Sequence, residues 1–103
     1  MSLHYTIQVS KDHAQVKATW DIQVDTSDAE LISNFSLTVE GKALNTQCSS
    51  GNKACEGADY AILSKPKEDC PVTFVITTNK PEVRNGSDVL SGQRTYDDVE
   101  FSG

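Results

Sequence analysis

Val16, Ala18, Trp20, Ile22 and Val24 alternate with Lys17, Thr19, Asp21 and Gln23. A helix would scatter this set around its circumference, whereas an extended strand places one set on each face. The segment is therefore a strand with one wet face and one buried face. Tyr5, Ile7 and Val9 repeat the pattern against Thr6 and Gln8. Ser10-Lys11-Asp12-His13 between the two runs has the polarity and length of a hairpin loop, so these strands are expected to be antiparallel neighbours.

The period continues downstream. Phe35, Leu37 and Val39 form a third face, interrupted by Gly41-Lys42, after which Ala43 to Thr46 returns as a short strand. Tyr60-Ala61-Ile62-Leu63 is a continuous apolar run that suits a strand covered on both faces or near an edge crossing. Val72, Phe74 and Ile76 make the next face, ended by Asn79-Lys80-Pro81 because proline cannot donate to a ladder. Val99 and Phe101 share a face in the last run, Tyr96 to Phe101. Helix signals are confined to residues 26–33, where Thr26, Ser27 or Asp28 could cap a single turn. One turn does not stand alone.

Seven or so short strands in 103 residues, with turn signals roughly every ten, predict an all-β fold. The expected architecture is an antiparallel β-sandwich of the immunoglobulin or fibronectin kind. Its expected core is Tyr5, Ile7, Val9, Val16, Ala18, Trp20, Ile22, Val24, Phe35, Leu37, Val39, Ile62, Val72, Phe74, Ile76, Val99 and Phe101. The Cys-Trp-Cys order of true immunoglobulin domains is missing, since Trp20 precedes every cysteine. The chain reads as one domain over 1–103, with residues 1–3 as a cloning remnant on a piece of a larger protein.

Composition narrows the function classes. Nine Lys and Arg against fifteen Asp and Glu give a net charge of −6. That balance disfavours nucleic acid, whose binders neutralise phosphates with basic side chains, and anionic membrane surfaces. No run reaches the roughly 20 apolar residues of a membrane span.

Cys48, Cys55 and Cys70 are the candidate disulfide residues, and their odd number leaves at least one thiol over. The closed loops would hold about 8, 16 or 23 residues, worth roughly 2.5, 3.1 and 3.4 kcal/mol, a spread too small to choose by. The turn-forming Ser49-Ser50-Gly51-Asn52 favours Cys48 with Cys55. A fully reduced set is the alternative, and zinc fits poorly because the spacing is wide and both histidines are distant. One disulfide would place the chain outside the cytosol, in a periplasm or secreted.

The catalytic reading is empty. His4 and His13 are the only histidines, neither lies near a nucleophile motif, and His13 is simply polar in a polar loop. Acidic groups at strand ends could supply calcium with oxygens, but the loop that binds calcium in EF-hands is absent, and a solvated acidic face accounts for them more simply. Tyr60 and Tyr96 are the aromatics left for a sugar platform. Arg84 and Arg94, on a loop expected over 80–94, could grip a carboxylate, against the simpler reading of a solvated connection. No cofactor is implied. The leading expectation is a non-catalytic interaction module that offers loops or a strand edge to a protein partner. A carbohydrate- or calcium-binding module, or an accessory domain of an extracytoplasmic enzyme, is the alternative.

Overall fold

The computed structural model describes residues 3–12, 15–27, 29–62, 71–80, 89–95 and 98–103, with Asp12 described by its backbone alone. These residues form eight strands and no helix. They are β1 (Leu3–Asp12), β2 (Gln15–Val24), β3 (Ile32–Val39), β4 (Lys42–Ala43), β5 (Ala54–Ile62), β6 (Pro71–Thr78), β7 (Val89–Thr95) and β8 (Asp98–Ser102). They make two antiparallel four-stranded sheets, ordered β5-β2-β1-β8 and β4-β3-β6-β7, packed as a β-sandwich.

The hairpin expected from the first two runs is present, with β1 and β2 in register from Leu3 opposite Val24 to Asp12 opposite Gln15. All five apolar residues of the β2 alternation are buried. The sheets meet through aromatic rings. Trp20 of β2 lies 5.9 Å from Phe35 of β3, and Phe74 of β6 sits between Tyr5 of β1 at 5.3 Å and Phe101 of β8 at 4.6 Å. Burying each large apolar side chain contributes roughly 1.5–3 kcal/mol, so this seam holds the layers together.

Turn chemistry places the ends. Glu40 and Gly41 both have positive φ, 49° and 77°, and join β3 to β4 as a two-residue turn. Gly51, at φ 89°, lets its own amide reach the Ile32 carbonyl at 2.8 Å. The Ile32 amide in turn donates to Asn52 O and the Val24 amide to Lys53 O, each at 2.8 Å. Residues 51–53 thus tie the end of β2 to the start of β3, across the two sheets.

Several expectations need correction. The loop expected over 80–94 ends in strand β7, which pairs with β6 from Val89 to Thr95. The turn-rich stretch 47–57 gives way to β5 at Ala54, and the expected strand over 43–46 shrinks to Lys42–Ala43. The region proposed for a helical turn is a turn at Thr26-Ser27 leading into β3. Ile62, expected in the core, is 67% exposed, because pairing of Val16 with Ala61 turns Ala61 inward instead. Tyr5 is only half-buried, against the core rather than in it. Leu3, Ile32, Leu44, Cys55 and Ala61 join the core unexpectedly.

Candidate functional site

Three regions carry the chemistry of the described residues. The first is a thiol pocket. Cys55 points inward from β5 and is 6% exposed, while Cys48 is half-buried on the chain crossing from β4. The two side chains are neighbours, both as free thiols, and the Cys55 sulfur also approaches Thr46 O at 3.9 Å. The turn residues favoured this pair, and the fold brings it together; Cys70 lies outside the described residues. Burial, reinforced by Cys48, pushes the Cys55 thiol up to about 12, since the thiolate would lie in an apolar environment. The buried Trp20 indole N–H lies beside this sulfur and opposes the rise without overcoming it. It lacks a partner at hydrogen-bonding geometry, and a sulfur is a weak acceptor.

The second region is the pole where β2 leads into β3. Glu30 is fully buried, and Thr78 donates its hydroxyl to the Glu30 carboxyl at 2.5 Å. Asn79 closes the same pole, accepting from the Leu31 amide at 2.6 Å and donating its own amide to Leu31 O at 3.1 Å. Every bond named here joins the lead-in of β3 to the end of β6, so the pole is a clasp that closes the end of the second sheet.

The acidic groups scatter. Asp25 accepts from the Ser27 amide and hydroxyl at 3.0 and 2.8 Å, which holds its carboxyl below the ordinary range. Asp21 accepts from Gln23 at 3.1 Å, Asp59 from the Asn45 amide at 2.9 Å, and Asp98 from the Lys11 amide at 3.4 Å. Among the described residues, no three His, Cys, Asp or Glu side chains are grouped to hold a metal ion. His4 is exposed on β1. Arg94 stands on β7 with its guanidinium carbon 5.7 Å from the centre of the Phe101 ring, a cation–π contact. Arg84, Tyr96 and His13 lie outside the described residues, so the two-arginine clamp finds one member on a strand.

The third region is the free edge of the first sheet. β5 is the longest of the four edge strands and carries Tyr60 and Ile62, 62% and 67% exposed. Which of its backbone groups face outward follows from register. Val24 donates to Lys53 O, so this opposed pair is hydrogen-bonded, and every second pair after it is too: Ile22 with Cys55, Trp20 with Gly57, Ala18 with Asp59, Val16 with Ala61. Ala54, Glu56, Ala58, Tyr60 and Ile62 therefore turn their N–H and C=O groups away from the sheet. No backbone hydrogen bond among the described residues reaches them. The chain from Leu44 to Cys48 touches β5 through the inward side chains Asp59 and Cys55. Sequence periodicity could flag an edge strand here but could not tell which amides it leaves open.

No family model, no curated protein and no solved structure matches the chain.

Proposed function

We propose that this chain is a non-catalytic interaction module that binds a protein partner by adding a strand to its open β5 edge. The observation that carries the reading is the row of outward amides and carbonyls on Ala54, Glu56, Ala58, Tyr60 and Ile62. An extended segment gains affinity from such a row and specificity from the side chains between. Native sheets ordinarily blunt a long edge with lysine, proline, a bulge or an inward-pointing charge; β5 has no lysine, proline or bulge, and its inward charge, Asp59, is taken up by the Asn45 amide. The described residues also bring no activated nucleophile beside a base, and Cys55 is held protonated by its surroundings.

The strand partition supports the immunoglobulin and fibronectin kind. Taking β1, β2, β3, β5, β6 and β7 as A, B, C, E, F and G, one sheet holds A, B and E and the other C, F and G. β4 beside β3 and β8 beside β1 extend this plan.

The test is capture from an extract of the protein's own cells, with the native chain and Ala58→Pro side by side. The Ala58 amide faces away from β2, so proline there leaves the fold intact while removing the central outward donor. We expect a partner retained by the native chain and released by the variant. A partner held equally by both, or turnover of a substrate by the purified domain, overturns the reading.

A further inference from the structure

We infer that the partner accepted by the β5 edge is a second copy of this chain, paired antiparallel about a twofold axis at Ala58. The inference rests on the edge-binding reading above and adds the partner and the register.

Parity comes first. Outward-facing residues must oppose outward-facing residues, so the only registers open to two β5 strands pair even-numbered positions with even-numbered ones. Ala58 is the middle of Ala54–Ile62 and is one of them. Placing it on the axis opposes Ala58 to Ala58, Glu56 to Tyr60 and Ala54 to Ile62 of the second copy, with the whole strand engaged. The β5-β2-β1-β8 sheets of the two copies then fuse into one, through a surface that matches itself as twofold symmetry requires.

Side chains agree with that register. On the solvent face β2 sets Asp21 beside Glu56 and Lys17 beside Tyr60. The row crossing the axis therefore reads Asp21 and Glu56 on one copy, then Tyr60 and Lys17 on the other. Each acidic pair meets a phenol and an ammonium, and the symmetric row repeats the match in reverse. Like charges directly opposed destabilise a sheet, and this register avoids them: Glu56 faces Tyr60, with Lys17 one strand further on to offset its charge. Tyr60 and Ile62, two of the most exposed large apolar side chains described, are both covered by this arrangement.

The other edges fit less well. Tyr5 and Gly103 exchange both backbone bonds, at 2.9 and 3.0 Å, so Asp98, Glu100 and Ser102 of β8 face outward. Self-pairing of β8 about its middle would set Glu100 against Glu100. β4 has two residues, and β7 carries Arg94 over Phe101.

The experiment measures molar mass against concentration by sedimentation equilibrium at physiological salt, together with amide exchange at low and high protein concentration. The expected result is a rise from one chain's mass to twice it. Protection gained on concentration should fall on Glu56, Ala58 and Tyr60, while Cys55, Gly57, Asp59 and Ala61, bonded to β2, stay protected throughout. Ala58→Pro removes two bonds at the axis, one from each copy. It should weaken the dimer about tenfold or more while leaving the circular dichroism unchanged. Should that variant unfold, Tyr60→Glu, which opposes a second carboxylate to Glu56 across the axis but sits beside Lys17 within its own chain, is expected to keep the fold and lower the dimer fraction. A chain that stays monomeric at every concentration, with these amides protected instead by a captured partner, overturns the second-copy inference and leaves edge binding standing. A dimer insensitive to both substitutions, with Glu56, Ala58 and Tyr60 exchanging freely, overturns both.

Discussion

Gly92→Ala is a small change with a decisive sign. Gly92 of β7 is paired with Phe74 of β6, and the ring lies over the glycine. A methyl group there would come within 2.6 Å of Phe74 Cε1 and 3.3 Å of Phe101 Cε1. The ring has nowhere to retreat: Phe74 is 1% exposed and flanked by Phe101 at 4.6 Å and Tyr5 at 5.3 Å. Two effects oppose each other. Replacing glycine stiffens the unfolded chain and would stabilise by about 0.4–1 kcal/mol, since Gly92 has no positive φ to lose. Overpacking a closed core costs about 1–3 kcal/mol. The clash wins, and the net loss is about 1–2 kcal/mol, which lowers Tm by about 4–16 °C in a domain of this size. Urea unfolding followed by circular dichroism reads it directly, with the midpoint falling at constant slope. Phe74→Leu supplies the control. With the ring removed, Gly92→Ala should become neutral or stabilising, a coupling of about 1 kcal/mol or more. A Gly92→Ala variant as stable as the native chain, or equally damaging beside Phe74→Leu, refutes the argument.

Other expectations follow from single sites. Glu40→Asn should raise stability by about 0.5–1 kcal/mol in urea, because asparagine tolerates the positive φ of this turn better and Glu40 leaves a buried oxygen unpartnered. Iodoacetamide should modify Cys55 of the folded protein about a thousandfold more slowly than an ordinary thiol, as follows from a thiol pushed up to about 12 against 9.0. The folded chain then holds this proton where the unfolded chain has released it. Stability should fall as pH rises from 9.0 towards about 12, and Cys55→Ala should flatten that fall. Thr78→Val should cost about 1–3 kcal/mol by urea titration, because it strips a hydrogen bond from a fully buried carboxyl.

Period-two alternation made β1, β2, β3, β6 and β8 legible, because each has one face against the other sheet and one against water. β7 escaped notice since Val-Leu-Ser-Gly-Gln-Arg-Thr has no apolar stripe. It is a strand because β6 offers it a ladder and Phe74 covers its glycine. Gly57 repeats that device in the first sheet, opposite Trp20, whose ring atoms would lie 3.0–3.1 Å from an added Cβ. In neither case does a glycine announce in the sequence which ring will lie on it. Ile62 failed for a related reason: at an edge, the phase of a strand is set by its one partner, and β2 turned the small Ala61 inward. The adjacency of Cys48 and Cys55 was readable from the intervening turn, whereas the clasp of Glu30 and Thr78 joins residues far apart in sequence and left no local signal.

The bonds between Tyr5 and Gly103 set how this fold would bear tension. The start of β1 lies against the far end of β8, so a load applied through Leu3 and Gly103 falls on the rungs nearest those ends before any others. Such a ladder opens like a zipper, rung after rung, instead of resisting in parallel. Stretched between two anchors, the fold would behave as a soft release and not as a strut.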